Sequence, residues 1–218
     1  MVDWAGQAEA AVARYREGES RVGELDDADQ RQRQRTRLGN AAWAAGLCLL
    51  MDGRDGESAA WLRRAAERYR ESWLEAPPDS WGRPIGALKA LLLAGEDATE
   101  AAGWPLDAGA AAAASPIGRY AGTLALLVLG RDAEARTLAA SLESRDDFPR
   151  DVAGALAALA AGDGVAYRAA AESVLRSFET RTDFLEDVAV ADTVLVLQRL
   201  AAPRGLAAEL PPSARLPR

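Results

Sequence analysis

The chain has 218 residues and a formal net charge of -7, and its single lysine is Lys89. This excess of acidic groups argues against nucleic acid and anionic membranes as partners, because both select basic protein surfaces, and it favours a basic or neutral partner. The absence of histidine and the presence of only one cysteine exclude Ser-His-Asp and Cys-His nucleophile systems, histidine-based metal sites and thiolate zinc sites.

Alanine and leucine dominate the apolar residues, and aromatic residues make up only 6% of the chain, so the average propensity is helical. We expect an all-α chain with one domain over residues 1–208 and an extended tail over 209–218. Apolar runs such as Leu124–Leu129 are too short to span a bilayer, and no apolar signal core follows a basic start, which together predict a cytoplasmic protein. Cys48 lies in an apolar run and is predicted to be a buried thiol.

The first predicted elements are two helices. One covers residues 2–18, and the next opens at Asp26 or Asp27 and runs to about Met51. The second helix carries the basic run Arg31–Arg37, whose alternating arginines spread their charge over two faces and have acidic residues four positions earlier. This pattern predicts a solvated face rather than a nucleic-acid site.

One turn pattern recurs along the chain: an apolar helix end, a glycine, a charged residue and an aspartate. Its copies are Leu49–Asp55, Leu91–Asp97, Leu126–Asp132 and, more loosely, Ala158–Asp163. Glycine suits the left-handed position that ends a helix, and the aspartate can cap the free N–H groups of the next helix. The glycines of the four copies are 42, 35 and 32 residues apart, which is in the range of stacked helix-pair repeats. Each copy therefore predicts a helical hairpin.

Amphipathic stretches flank these turns, with apolar residues on one helical face. The predicted buried stripes are Leu62, Ala66, Tyr69 and Trp73; Tyr120, Leu124 and Leu127; Ala135, Leu138 and Leu142; and Tyr167, Ala171, Val174 and Phe178. Such faces must pack on neighbouring helices. The sequence thus predicts an all-α stack of antiparallel hairpins with about eight to ten helices.

The remaining segments are less regular. Pro77-Pro78 ends a helix, and residues 103–116, which contain glycine and proline, are predicted to form a connecting loop. Residues 183–201 have a strand-like composition but lie between helical stretches, and they are predicted as a helix that ends near Gly205. The tail from Glu209 is rich in proline and is expected to be extended against the last helix or frayed.

The turn Leu129–Ala135 resembles the turns of tetratricopeptide-like helical repeats, whose hairpins join after small and apolar residues. The tryptophan, tyrosine and proline that this family carries at fixed offsets are absent, so its ligand-binding residues cannot be transferred to this chain. The resemblance implies an irregular α-solenoid.

The order of features from Ala157 to Pro217 resembles the C-terminal region of the all-helical immunity proteins of bacterial polymorphic toxin systems. A small-residue helix end at Ala160–Asp163 leads into an amphipathic helix through Phe178, an acidic linker, an apolar helix and Arg204-Gly205-Leu206. The resemblance implies a small acidic protein that binds a co-encoded toxin and blocks it.

Tryptophans near helix ends are the candidate partner-binding residues. Trp73, Trp81 and Trp104 lie at such positions and, with Arg83, could anchor a binding groove; alternatively they plug the hairpin junctions. Asp192 lies in an apolar run, where a buried carboxylate needs a partner. It is either tied to an arginine or, if its helix lines a groove, a recognition residue.

A carboxylate site is the main chemical alternative. Asp183, Glu186 and Asp187 would share one helical face and, with Asp192, could hold a hard cation or act as an acid/base pair. The other interpretation is a solvated helix start, where acids interact favourably with the helix dipole.

These patterns lead us to predict no catalytic centre, no metal and no cofactor. The predicted function is a non-catalytic protein-interaction module, monomeric or dimeric, which in its sharpest form is an immunity-type protein that neutralises a cognate toxin. The alternative is a small-molecule sensor or a carboxylate-site enzyme with a ligand cavity between helices.

Overall fold

The computed structural model describes residues 2–217, and over that range the chain is all-α. Ten α-helices are described: α1 (Trp4–Val22), α2 (Ala28–Met51), α3 (Asp55–Glu75), α4 (Gly82–Ala94), α5 (Thr99–Asp107), α6 (Pro116–Val128), α7 (Asp132–Glu143), α8 (Arg150–Ala161), α9 (Gly164–Thr180) and α10 (Asp192–Ala201). Short 3₁₀ turns lie at Ala110–Ala112, Leu185–Asp187 and Ala202–Arg204. The predicted all-α class is confirmed. Within residues 2–217, none of the helices combines the length and the apolar character that crossing a bilayer requires.

Backbone contacts divide the chain into two compact units. Unit 1 contains residues 2–96, 182–190 and 216–217, and unit 2 contains residues 97–181 and 191–215. In unit 1, helices α1 to α4 pack in succession, and the 3₁₀ turn that follows Phe184 contacts α2. In unit 2, α5 to α9 pack in succession, and α10 contacts α8 and α9.

The centre of unit 1 is α2, in which every residue from Ala41 to Leu49 is buried. The ring of Tyr69 on α3 lies between two glycines, Gly39 of α2 and Gly86 of α4. A Cβ atom added to either glycine would lie 2.7 Å from the ring. Because real Cβ atoms do not approach so closely, the spacing of these three helices depends on both glycines.

Unit 2 buries the apolar faces that the sequence predicts. The stripes of α6, α7 and α9 are buried as predicted: Tyr120, Leu124 and Leu127; Ala135, Leu138 and Leu142; and Tyr167, Ala171, Val174 and Phe178. In unit 1, the predicted stripe of α3 is buried except for Trp73, which is half-buried. Each fully buried leucine contributes about 1.5–3 kcal/mol relative to an exposed one, so these stripes are the main source of stability.

The predicted turn glycines adopt the left-handed conformation. Their φ angles are 76° at Gly53, 74° at Gly95, 67° at Gly130 and 70° at Gly162. At each turn, the N–H of the glycine and that of the following residue donate to carbonyls of the preceding helix. This pattern ends a helix and satisfies two of the carbonyls of its last turn. The helices on either side of the turn pack together for the pairs α2–α3, α6–α7 and α8–α9.

The aspartates of these turns do not share one role. Asp163 caps α9 as predicted, because its carboxylate accepts from two N–H groups of the first turn. Asp97 accepts from the N–H of Thr99 at 2.9 Å. For Asp55 and Asp132 the predicted cap is wrong, since each is the first residue inside its helix and an arginine precedes it at the cap position. Their charge interacts with the helix dipole instead.

Residues 103–116 are not a single loop, contrary to the prediction. α5 continues to Asp107 with Pro105 inside its last turns, and a 3₁₀ turn follows. Pro105 and the alanines at positions 101 and 102 are buried. Burial of this apolar face offsets the backbone hydrogen bond that the proline cannot donate.

The predicted helix over 183–201 is wrong for its first half. α10 begins only at Asp192, and the acidic residues Glu186 and Asp187 have positive φ angles of 55° and 59°. Two consecutive left-handed residues are incompatible with a right-handed helix. The predicted end near Gly205 is confirmed, because that glycine has a φ of 68° and ends the 3₁₀ turn after α10.

Candidate binding surface

Two of the predicted tryptophans meet at the junction between α3 and α4 in unit 1. The ring centroids of Trp73 and Trp81 are 5.8 Å apart, and the rings are tilted by 38°. Trp81 is 5% exposed, whereas Trp73 is half-buried and its neighbour Leu74 is 77% exposed. We call Trp73, Leu74 and Trp81 the tryptophan corner. It combines a buried aromatic anchor with an exposed leucine.

The backbone of the corner is tightly constrained. Pro77 and Pro78 follow the end of α3, and Asp79 adopts a left-handed φ of 62°. The carboxylate of Asp79 accepts from the indole N–H of Trp81 at 3.1 Å, and its carbonyl accepts from the Trp81 backbone N–H at 2.8 Å. These contacts fix the orientation of the Trp81 ring, because both of its donors are satisfied locally.

A polar network lies beneath the corner and joins α2, α3 and α4. The guanidinium of Arg83 donates to Ser72 Oγ at 3.1 Å and to Gln32 Oε1 at 2.5 Å, and Ser72 Oγ donates to the Gln32 carbonyl at 2.7 Å. Gln32 is 2% exposed and Ser72 is fully buried. Burial lowers the pKa of the Arg83 guanidinium, and the nearby positive charge of Arg33 adds to this effect. Arg83 therefore links the start of α4, two residues after Trp81, to Gln32 of α2 and to Ser72, which precedes Trp73.

The other two predicted partner-binding residues lie in unit 2. Trp104 is half-buried in α5. Asp192 is half-buried at the first position of α10, where its Oδ1 accepts from the backbone N–H of Thr193 at 2.8 Å. Asp192 is thus at a helix start, where the dipole favours a carboxylate, and not inside a helix as predicted. Of the predicted set, the structure brings Trp73, Trp81 and Arg83 together.

The predicted carboxylate site does not form on a helical face. Asp183, Glu186 and Asp187 lie in the irregular segment of unit 1, and Asp192 belongs to unit 2. Glu186 pairs with Arg14 of α1 at 3.5 Å. Over residues 2–217, no group of three or more cysteine, aspartate or glutamate side chains is arranged to hold a metal ion.

Trp61 is a functional candidate that the sequence did not single out. Its ring packs edge-on against Tyr15 of α1, with centroids 5.2 Å apart, and the Arg64 guanidinium lies 5.0 Å from the Trp61 ring. In the sequence, Trp61 directly precedes the stripe residue Leu62, so it falls at the edge of the predicted buried face. That position places it on the border between the core and the solvent.

A cleft of about 320 Å³ opens beside Trp61, between α1, the end of α2 and the start of α3. The apolar lining is Ala8, Val12, Ala13, Leu49 and Trp61, and the charged lining is Glu9, Arg16, Arg54 and Glu57. Two of the charged groups neutralise each other, since Arg54 donates to both carboxylate oxygens of Glu57 at 2.8 and 2.7 Å. The cleft could accept an apolar group with a polar end.

Comparisons with known proteins identify no relative. No protein-family model, no curated protein sequence and no solved structure matches the chain. The resemblances to tetratricopeptide-like repeats and to immunity proteins therefore stay predictions from the sequence.

Proposed function

We propose that the chain is a non-catalytic helical protein-interaction module and that the tryptophan corner of unit 1 is its partner-binding surface. The observation that carries this proposal is Leu74, which is 77% exposed and directly follows Trp73. A leucine side chain exposed to this extent gains from burial in a complex. Residues of binding hot spots are typically aromatic side chains surrounded by contacts that exclude water.

The corner is organised before a partner arrives. The contact between Trp73 and Trp81 already orients the two rings, and the hydrogen bonds of Arg83 to Ser72 and Gln32 fix the start of α4 against α2 and α3. A preorganised surface loses little conformational entropy on binding, so more of the contact energy appears as affinity.

The proposed partner is a basic or neutral protein. The chain carries a formal net charge of -7, which would attract a basic surface and speed the encounter with it. In the sharpest form of the proposal, the chain neutralises a cognate toxin in the cytoplasm. The support for this form is the acidic charge together with the resemblance of Ala157–Pro217 to immunity proteins.

The test is capture of a partner by tagged protein and by two matched variants. Leu74→Asp places a charge in the corner, and Val165→Asp places the same charge on an apolar residue of unit 2 that is 84% exposed. Because both residues are exposed, both variants should keep the stability of the parent chain. We expect the parent and Val165→Asp to retain one stoichiometric partner protein and Leu74→Asp to lose it.

Two outcomes would contradict the proposal. Retention of the partner by Leu74→Asp would move the binding surface away from the corner. Failure of the parent chain to bind any protein, over a range of salt concentrations, would favour a small-molecule sensor. The cleft beside Trp61 is the observation that favours that second function. The small-molecule function would be tested by a ligand-induced rise in melting temperature, which Trp61→Leu should abolish.

A further inference from the structure

Residues 206–215 of unit 2 form an irregular segment whose side chains alternate in burial. The half-buried residues are Leu206, Ala208, Leu210, Ser213 and Arg215, and the exposed ones are Ala207, Glu209, Pro211, Pro212 and Ala214. Alternation with a period of two, interrupted at the two prolines, is typical of an extended backbone that lies on a surface, and the segment ends in a turn at residues 214 and 215. The segment follows the turn at Gly205 that ends the last helical region.

The side chain of Gln198 on α10 recognises the backbone of this segment. Its Nε2 donates to the carbonyl of Ala208 at 2.5 Å, and its Oε1 accepts from the Ala208 N–H at 3.0 Å. One amide side chain thus satisfies both backbone groups of a single residue, as a neighbouring β-strand would do. Such contacts bind an extended peptide without regard to its side chains.

Other groups of unit 2 bind the backbone further along. Arg168 of α9 donates to the carbonyl of Glu209 at 3.0 Å. The backbone N–H of Ala191, just before α10, donates to the carbonyl of Arg215 at 2.9 Å. A side-chain contact joins Ser213 Oγ to Glu179 Oε1 at 2.7 Å. The backbone of the segment is therefore bound at Ala208 and Glu209 and again at Arg215.

Gln198 is held in position by a buried residue. The hydroxyl of Tyr167 on α9 donates to Gln198 Oε1 at 2.7 Å, and Tyr167 is fully buried. Burial raises the pKa of the Tyr167 phenol above its ordinary value, so this donor keeps its proton well above neutral pH. A polar group oriented in this way from the core belongs to a preformed site.

We propose that the face of unit 2 formed by α9, α10 and Ala191 is a binding groove for extended peptides, and that residues 206–215 occupy it as an internal ligand. The peptides that fit carry small or apolar side chains at alternate positions and tolerate proline between them. None of the residues 206–215 is fully buried, so the segment can leave the groove at a low cost in free energy. An extended segment of a partner would then take its place.

Hydrogen exchange in the full-length chain tests the docking of the segment. The test variant carries two substitutions at half-buried positions, Ala208→Asp and Leu210→Asp. The control variant carries the same added charge at two exposed positions, Ala207→Asp and Ala214→Asp. The reporter is the backbone N–H of Ala191, which lies outside the segment. We expect its exchange to accelerate at least about tenfold in the first variant and to stay unchanged in the second. Equal protection of Ala191 in both variants would overturn the proposal.

Binding of a labelled peptide with the sequence of residues 206–215 tests the groove itself. The Ala208→Asp/Leu210→Asp chain, with its groove vacated, should bind this peptide more tightly than the parent chain, whose own segment competes at high effective concentration. Adding Gln198→Ala should weaken binding at least about tenfold, because two backbone hydrogen bonds are lost. Absence of binding, or binding that does not depend on Gln198, would rule out this groove.

If the Ala208→Asp/Leu210→Asp chain does not fold, a single substitution still tests the docking of the segment. Gln198→Ala removes the amide from the otherwise unchanged chain, and far-UV circular dichroism checks that the helices are retained. The N–H of Ala208 should then exchange faster by at least about tenfold, since its acceptor is gone. Unchanged exchange at Ala208 would show that Gln198 does not hold the segment.

Discussion

The two units hold their helices together by different means. In unit 1, buried polar side chains such as Gln32, Ser58 and Ser72 make hydrogen bonds that cross from helix to helix. In unit 2, the buried Thr123 donates only to a carbonyl one turn earlier in its own helix. In unit 1 these buried bonds join α2 to both α3 and α4, whereas in unit 2 the buried Tyr167 of α9 donates to Gln198 of α10.

Unit 2 has further directional contacts at helix ends. Arg204, whose side chain is largely buried, donates to the carbonyl of Leu127 at 2.6 Å and to the carboxylate of Asp132. It joins the 3₁₀ turn after α10 to the end of α6 and the start of α7. The comparison teaches that α6 and α7, whose buried faces are rich in alanine and leucine, can be oriented by a contact at their ends, whereas buried polar side chains orient α2, α3 and α4 from within unit 1. Unit 1 is therefore the unit that loses more when one buried polar group is removed.

The largest effect expected from this comparison is at Gln32. Gln32→Met keeps the length of the side chain but removes the acceptor of Arg83, whose guanidinium is then left partly buried without that hydrogen bond. We expect the free energy of unfolding to fall by about 2–3 kcal/mol. Urea denaturation monitored by circular dichroism measures this change in the free energy of unfolding. Thr123→Val in unit 2 is the matched change and should alter the free energy of unfolding by less than about 1 kcal/mol.

A double-mutant cycle separates the hydrogen bond from the loss of packing. Arg83→Met and Gln32→Met together leave neither partner unsatisfied, so the double variant should be less destabilised than the sum of the two single variants by at least about 1 kcal/mol. Additive effects would show that the bond between Arg83 and Gln32 does not orient α2 and α4. Unit 1 would then resemble unit 2 in this respect.

The next effect concerns close approach between helices. In Gly86→Ala the new Cβ would lie 2.7 Å from the Tyr69 ring, so the ring or α4 must shift. We expect the free energy of unfolding to fall by about 2 kcal/mol, net of the better helix propensity of alanine. Gly154→Ala in α8 is the control, since the nearest atom to its Cβ would be 3.9 Å away.

The control variant should change the free energy of unfolding in the opposite direction. Gly154→Ala removes a glycine from a helix interior without a clash, so it should raise the free energy of unfolding by about 0.5–1 kcal/mol. Thermal or urea denaturation of both variants gives the two values. A stabilised Gly86→Ala chain would mean that α2, α3 and α4 can move apart easily. The orientation of helices in unit 1 would then be no more tightly specified than in unit 2.

Local features of the fold could be predicted from the sequence because they depend on neighbouring residues. The glycine turns need only a helix end followed by a residue that tolerates positive φ, which is why Gly53 and Gly130 were identified correctly. The aspartate caps failed at Asp55 and Asp132 because the cap position differs from the first helical position by one residue. The turn at Gly95, which precedes the boundary between the units at Glu96, has the same pattern as the others and gives no sign of that boundary.

Features that depend on distant residues could not be predicted. The position of the Tyr69 ring between Gly39 and Gly86 depends on the packing of three helices. In the sequence alone, each glycine indicates only a low helix propensity at its position. The burial of Trp81 likewise depends on where α3 ends relative to α4. The contact of Arg83, a candidate groove anchor, with Gln32 could not be predicted either, because the burial of Gln32 had no local signal.

The smallest effect expected is on the pH dependence of stability, and it distinguishes the buried ionisable groups of the two units. In unit 1, burial raises the pKa of the Cys48 thiol from 9.0 to about 11, partly offset by the positive charge of Arg14. In unit 2, burial raises the pKa of Tyr167 above its ordinary value of 10.0. Both groups hold their protons more tightly in the folded state than in the unfolded state.

The sign of the effect follows from proton release. Below pH 9 both states keep the Cys48 proton, so stability does not depend on this thiol. Above pH 9 only the unfolded state releases it, and the free energy of unfolding falls by about 1 kcal/mol near pH 10. Cys48→Ala should remove this early decline, whereas Tyr167→Phe should change the profile only above pH 10. If Cys48→Ala leaves the decline between pH 9 and 10 unchanged, Cys48 is accessible to solvent and the interior of unit 1 is less tightly closed than that of unit 2.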